Sequence, residues 1–239
     1  LHADHDPVPA WKPSILYEDN HLLVVNKAPG DICQGDKTGD EPLPEKLKAF
    51  LKQREEKPGK VFLGVVHRLD RPVSGVVVLA KTSKALERMN ALVQDRDIEK
   101  TYWAIVAKAP EPTDGRLENW LVKDQAANKS RIVKPGTTGA KLAVLRYALR
   151  ASLERYHLLE VQLETGRHHQ IRVQLAAMGC AIRGDLKYGA KRSNEDASIS
   201  LHAARLRFVH PVRKEPLIIS APPPPDPLWR LFAQAMKPA

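Results

Sequence analysis

The chain has 239 residues, 43% of them hydrophobic, and a formal net charge of +10. That length suits one large domain or two intimately packed subdomains, and no apolar run approaches the roughly 20 residues that cross a bilayer, so a soluble, cytoplasmic protein with no membrane attachment is expected. Cys33 and Cys180 are too few, too far apart and too poorly spaced for a disulfide framework or a metal site.

The charge is unevenly spread. Residues 1–60 hold 9 Lys/Arg and 11 Asp/Glu, leaving 29 against 17 for residues 61–239. A basic excess on one region points to a polyanionic substrate bound through phosphate contacts, although basic charge can also serve solubility alone.

Residues 1–13 read as a flexible, proline-punctuated arm. Short strands are expected at Ile15-Leu16-Tyr17 and Leu22-Leu23-Val24-Val25, joined by the turn-prone Glu18-Asp19-Asn20. Leu43, Leu47, Phe50 and Leu51 fall at helical spacing. Val61 to Val66 and Val76 to Ala80 read as buried strands, with Asp70 in the loop between them, where rigid strands commonly present catalytic groups. A helix is expected over Lys84 to Val93 with Ser83 as its N-cap and Leu86, Met89 and Val93 inward. Strands follow over Tyr102–Ala107, Gly139–Arg150 and Tyr156–Glu164. The interval Asp124–Gly139, with Lys129, Arg131 and Lys134, reads as a hairpin or a mobile basic loop. Ile171, Leu175 and Met178 predict a helix over His168–Met178 with Gly179 as its stop. Pro222 to Pro225 form a stiff spacer, after which Asp226 caps a terminal helix beginning at Pro227.

The run His67-Arg68-Leu69-Asp70-Arg71-Pro72-Val73-Ser74-Gly75 places one carboxylate between two arginines just before an apolar strand. Neighbouring guanidinium groups favour the charged carboxylate and fix its direction, which suits a nucleophilic or charge-stabilising role; a turn aspartate paired with its neighbours fits the same spacing. Arg172 borders the buried stripe of its helix and needs a carboxylate or phosphate partner, with Asp70 the leading candidate. His168 and His169 supply no third ligand at zinc spacing, and neighbours on a helix point in different directions. Tyr102 lies on an expected strand, either as a core aromatic or as a ring that stacks on a ligand.

Taken with the Asp70 run, Thr165-Gly166-Arg167-His168-His169-Gln170-Ile171-Arg172-Val173-Gln174-Leu175 and Ile182-Arg183-Gly184-Asp185-Leu186-Lys187-Tyr188-Gly189 resemble the RluA-like pseudouridine synthases. Lys100-Thr101-Tyr102-Trp103-Ala104, Leu201-His202-Ala203 and Phe208-Val209-His210-Pro211 match in the same order, and the resemblance covers about residues 14–222. It implies an α+β pseudouridine synthase fold: an extended, mixed and largely antiparallel sheet bent into two subdomains, with flanking helices and a central basic cleft. Residues 14–222 would be the catalytic domain, and 223–239 a proline spacer and a helix packed on it. The implied activity is isomerisation of specific uridines in structured rRNA or tRNA, without metal or organic cofactor, by a protein expected to be monomeric.

By that resemblance Asp70, Tyr102 and Arg172 are catalytic, Arg172 pairing with Asp70 and Tyr102 packing against a uracil removed from its stack. His67, Arg68, Arg71, Arg167, His169, Gln170, Lys129 and Arg131 are substrate-binding candidates, and Lys134, Lys187, Lys191 and Arg192 further phosphate contacts. Val73 stands where the family usually has threonine and Gln174 where histidine is common, which bears on substrate preference. Asp185 reads as a structural ion pair near Arg183 and Lys187. A catalytically inactive RNA-binding protein of the same fold is the main alternative, and a glycoside or nucleoside hydrolase a weaker one, since no second acid is placed to activate water.

Overall fold

The computed structural model describes residues 11–56 and 58–235, so residues 1–10 of the expected arm and residues 236–239 lie outside the described residues. In chain order the elements are β1 (Ile15–Glu18), β2 (Leu22–Lys27), α1 (Leu43–Arg54), β3 (Gly64–Val65), β4 (Ser74–Ala80), α2 (Ser83–Gln94), β5 (Glu99–Val106), β6 (Asp114–Asp124), β7 (Lys129–Val133), β8 (Lys141–Ser152), β9 (His157–Leu163), α3 (Gln170–Ala177), a 3-10 turn at Leu186–Tyr188, β10 (Leu201–Val209), β11 (Pro216–Ser220) and α4 (Pro227–Ala235).

All eleven strands join one open sheet in the order β1-β2-β4-β10-β5-β9-β8-β6-β7, with β11 beside β10 and β3 beside β4. Every pairing is antiparallel except β4 with β10, where His202 lies opposite Ser74 and Ala203 opposite Gly75. The expected mixed, largely antiparallel sheet with flanking helices is what forms.

Strand β4 is buried along its whole length because both faces are covered, which explains why its sequence is continuously apolar rather than alternating. Val77 and Leu79 pack with Leu47 and Leu51 of α1, whereas Val76, Val78 and Ala80 pack with Ala85 and Met89 of α2. The period of two along the strand thus serves a helix on each side. Helix α4 sits on the sheet through Trp229 and Phe232, which pack with Ile105 and Leu158. Asp226 Oδ1 caps it by accepting from Leu228 N–H at 2.8 Å.

Several expected boundaries move. The strand expected over Val61–Val66 shrinks to Gly64–Val65, because one edge of β4 is divided between two partners. β3 pairs at Leu79 and Ala80, and β10 already occupies Ser74 and Gly75. Between them the His67 imidazole replaces a strand: its Nε2 accepts the Val78 N–H at 3.2 Å, so the loop carrying Asp70 leaves the sheet at the gap. Thr82, not Ser83, caps α2, accepting from Ala85 N–H at 3.1 Å. The basic interval is a β6–β7 hairpin, with β7 on the edge of the sheet.

Gly75 closes the Asp70 loop and its side-chain position is already occupied. Its φ is +121°, and a Cβ there would meet Ala203 O at 2.3 Å. Gly75→Ala is expected to lower stability by roughly 3 kcal/mol through backbone strain and loss of the β4–β10 contact. Urea unfolding of the variant checks this, and an unchanged midpoint would mean that β10 can move aside.

Candidate active site

Asp70 lies in a cavity of about 860 Å³ shared by the β3–β4 loop, β5, the turn before α3 and the 3-10 turn. Its position depends less on its flanking arginines than the sequence implies. Arg68 bonds Gln34 Oε1, and Arg71 is taken by Asp36 at 2.9 Å and Asp40 at 2.6 Å. Neither holds Asp70.

The partner is Arg172. Its Nη1 donates to Asp70 Oδ2 at 3.1 Å, while its Nε and Nη2 make a bidentate pair with Asp185 at 2.7 and 2.8 Å. Asp185 is therefore an ion-pair residue as expected, but its partner is Arg172 rather than Arg183 or Lys187. One guanidinium, 5% exposed, serves two carboxylates, and its Cζ lies 5.1 Å from the centre of the Tyr188 ring. Because the tighter, two-bond contact goes to Asp185, the charge on Asp70 is only partly offset. Among the described residues no hydrogen bond engages Asp70 Oδ1, so that oxygen is available to a ligand.

The turn before α3 adds a second donor. The helix begins at Gln170 instead of His168 because His169 takes a left-handed conformation, φ +54°. That kink stacks His168 on His169, ring centres 3.7 Å apart, and brings His169 Nε2 to 3.4 Å from Asp70 Oδ2. Tyr188 Oη accepts the Ser130 N–H at 2.8 Å and lies 2.8 Å from His169 Nδ1. The phenol's own proton is left for Nδ1, which fixes the imidazole with its hydrogen on Nε2, facing Asp70. Burial, with Arg172 adding, pushes the His169 pKa down to about 2, so this contact comes from a neutral ring rather than an imidazolium.

Gln170 is 3% exposed and bonded to the turn through both ends of its amide: its Oε1 accepts from Thr165 Oγ1 and Arg167 N–H, and its Nε2 donates to Val144 O. These bonds fix the Thr165–Arg167 loop, and the residue also lines the cavity. Arg167 ties its Nε to Leu142 O at 2.8 Å and lines the cavity. His67 also lines it, although its bare Nε2 is committed to β4, and burial pushes its pKa down to about 3. Lys129 and Arg131 stand exposed on β7 outside the cavity lining, with Lys129 Nζ 5.2 Å from the Tyr188 ring centre.

Tyr102 faces Asp70 from β5 and is 8% exposed. Burial, with Asp70 adding, raises its pKa well above the usual phenol value, so it keeps its proton. Three contributors had no sequence signal of their own. Lys27 is 1% exposed and donates to Ala28 O, Asp31 O and Arg71 O, tying the Asp70 loop to β2. Lys123 and Asn128 reach the rim from the β6–β7 hairpin. Of the two departures, Val73 is buried and its N–H closes the loop onto Asp70 O at 3.0 Å. Gln174 is buried, donating to Asn119 Oδ1, and its Oε1 is without a partner among the described residues.

A family model described as RNA pseudouridylate synthase matches residues 21–177, which include Asp70, Tyr102 and Arg172. This chain belongs to that family. A relative named uncharacterized RNA pseudouridine synthase from Bacillus subtilis is 35% identical over 89% of this chain and 69% of its own length. Ribosomal large subunit pseudouridine synthase D of Xylella fastidiosa is 35% identical over 95% and 71%. The structure of human RNA pseudouridylate synthase domain containing 4 superposes with a TM-score of 0.76 at 26% identity, covering 93% of this chain and 92% of that one. The protein is thus an RNA pseudouridine synthase of the RluA-like group, an isomerase. No helix among the described residues is long and apolar enough to cross a membrane. No group of three or more His, Cys, Asp or Glu among them could hold a metal ion.

This pseudouridine synthase carries an acid-sensitive core. His202 is fully buried, with Nδ1 2.9 Å from Ser74 Oγ and Nε2 2.9 Å from Ala221 O. Burial pushes its pKa down to about 4, and that of His169 to about 2. The unfolded chain takes up these protons near the ordinary histidine value of about 6.5, whereas the native state refuses them. Stability is therefore complete above that value and falls as pH drops, by about 1.4 kcal/mol per pH unit for each histidine. Urea midpoints at pH 7 and pH 5 should differ markedly, and a flat profile would mean that these rings are protonated in the fold.

Proposed function

We propose that the protein isomerises uridine in ribosomal large-subunit RNA, acting as a monomer in the cytoplasm, with Asp70, Tyr102 and Arg172 as its catalytic residues. One observation carries this reading: Asp70 is held on one oxygen by a guanidinium that is itself anchored by Asp185, and its other oxygen is left unbound beside a buried tyrosine. Such a carboxylate is oriented without being neutralised, as attack on an anomeric carbon or support of an oxocarbenium-like centre requires. Breaking the C1′–N1 bond leaves its electron pair on N1 and frees the uracil, which turns and rejoins C1′ through C5; the C5 proton is lost and N1 takes up one, so the product is an isomer of the substrate. No bond to water is made.

A uridine must leave its stack to reach Asp70, and the Tyr102 ring supplies an apolar face against the extruded base. The protonated phenol is placed to relay a proton during rearrangement. Tyr102→Phe should keep base binding and lose proton relay, whereas Tyr102→Leu should lose both; parent-like kcat in Tyr102→Phe would remove the relay, and equal kcat and KM in the two variants would remove the stacking role. Arg68, Arg167, Lys123 and Lys187 supply phosphate contacts around the cavity. The large-subunit assignment rests on relatives named for that RNA, such as those of Xylella fastidiosa and Yersinia pestis. The direct test is to incubate the protein with large-subunit rRNA and with tRNA transcripts and to map pseudouridine in each. Modification of tRNA alone would overturn the substrate assignment.

A further inference from the structure

The active cavity does not end at Tyr102. A second cavity of about 630 Å³ continues from it between the α2–β5 corner and the β9–α3 turn, sharing Val93, Lys100, Leu163, Gly166 and Arg167 with the first. Lys100 stands at the junction. It lies two residues before Tyr102 on the same face of β5, about 7 Å along the strand.

Lys100 is half-buried where the two cavities meet, and that burial lowers its pKa. Among the described residues its ammonium has no hydrogen-bond or ion-pair partner. Lys27, the buried lysine of the site, is by contrast satisfied by three carbonyls. An unpaired ammonium partly withdrawn from water is costly, and a ligand that supplies the missing charge offsets that cost.

The surrounding charges favour an anion. The two carboxylates of the groove are already engaged on its outside: Glu164 by Arg116 and Arg146, and Glu99 by Arg207 at 3.8 Å. The Arg96 guanidinium at the α2–β5 corner has no partner among the described residues. Among the described residues Arg167 commits only its Nε, leaving its terminal nitrogens free. Three cations thus line a passage that opens from the reacting centre.

We propose that the RNA strand carrying the target uridine leaves the active cavity through this groove, with one backbone phosphate seated on Lys100 between Arg96 and Arg167. The proposal rests on the RNA-modifying reading above, since it assigns the path of the same substrate. A phosphate, rather than a base, is the expected occupant, because a lysine ammonium is a point charge with no base-reading geometry.

The test measures binding of a labelled single-stranded oligouridylate against salt concentration for the full chain and two variants. Lys100→Met removes the charge and keeps the stem. Arg96→Asn removes a charge at a left-handed position, φ +62°, that asparagine tolerates. Each lost phosphate contact on a single strand should reduce the slope of log affinity against log salt by about 0.7. Lys100→Met should also weaken binding roughly tenfold or more. Its melting temperature should equal or exceed that of the parent protein, because the variant discards a half-buried, uncompensated charge.

If Lys100→Met instead lowers the melting temperature and leaves the slope intact, Lys100 is a structural cation and the proposal falls. Should that variant fail to fold, Arg96→Asn alone decides: an unchanged slope overturns the path. Binding is read without turnover, so the two readings can fail separately. Loss of slope with no pseudouridine formed would keep the groove and overturn the reaction, and pseudouridine formation with unchanged slopes would do the reverse.

Discussion

Asp70→Asn is expected to reduce turnover by at least about 10⁴-fold, equivalent to roughly 5.5 kcal/mol in the barrier. The amide preserves shape and can still accept the Arg172 Nη1 hydrogen bond through its oxygen. Arg172 stays anchored because its two shorter bonds go to Asp185. What disappears is the unbound carboxylate oxygen and its charge, on which either nucleophilic attack or oxocarbenium stabilisation depends. RNA affinity should stay within about threefold, since affinity comes mainly from phosphate contacts elsewhere in the cleft. Single-turnover pseudouridine formation on a verified substrate, alongside filter binding, separates the two quantities. Near-normal turnover would remove Asp70 from the chemistry.

The residues of this centre were legible in the sequence, but their wiring was only partly so. Asp70, Tyr102 and Arg172 sit within local motifs, and the Arg172–Asp70 pair is present over 102 residues of separation. The flanking arginines misled because sequence adjacency does not specify side-chain direction. Arg71 turns away to the acidic loop carrying Asp36 and Asp40, whose approach is a tertiary event. His169 misled for a related reason: helical periodicity extends through it, yet its backbone is left-handed, and only that kink aims Nε2 at Asp70.

The fold was readable where strands are buried on both faces, as in β4, and less so elsewhere. Strand β6 alternates through Asp114, Arg116 and Glu118 on its exposed side, so its apolar signal is thin, although it pairs with β8 along eight residues. The parallel β4–β10 contact has no local signature at all. It requires the Gly75 backbone to approach Ala203 across the middle of the sheet. Lys27 and Lys100 are further cases, since a single lysine in sequence gives no hint whether its ammonium is solvated, satisfied by carbonyls or unpaired.

Asp185→Ala is expected to combine a stability loss with a catalytic loss, although Asp185 touches no substrate in the proposed reaction. The residue is 1% exposed and holds the Nε and Nη2 of Arg172. Removing it leaves a buried guanidinium with a single bond to Asp70, a change that typically costs about 3–5 kcal/mol when one partner of a buried pair is deleted. The freed guanidinium should then close on Asp70, occupying the oxygen now available to ribose and offsetting its charge. Turnover should fall by roughly 10²-fold or more, as for other groups that hold a reactive residue in place. Asp185→Asn separates the two effects: its amide oxygen retains one acceptor for Arg172, so folding should largely recover while kcat stays low and KM changes little. Urea unfolding and single-turnover kinetics on both variants provide the check. If Asp185→Asn turned over as fast as the parent protein, Arg172 would be held well enough by Asp70 and Tyr188 alone, and the shared guanidinium would be a feature of stability rather than of catalysis.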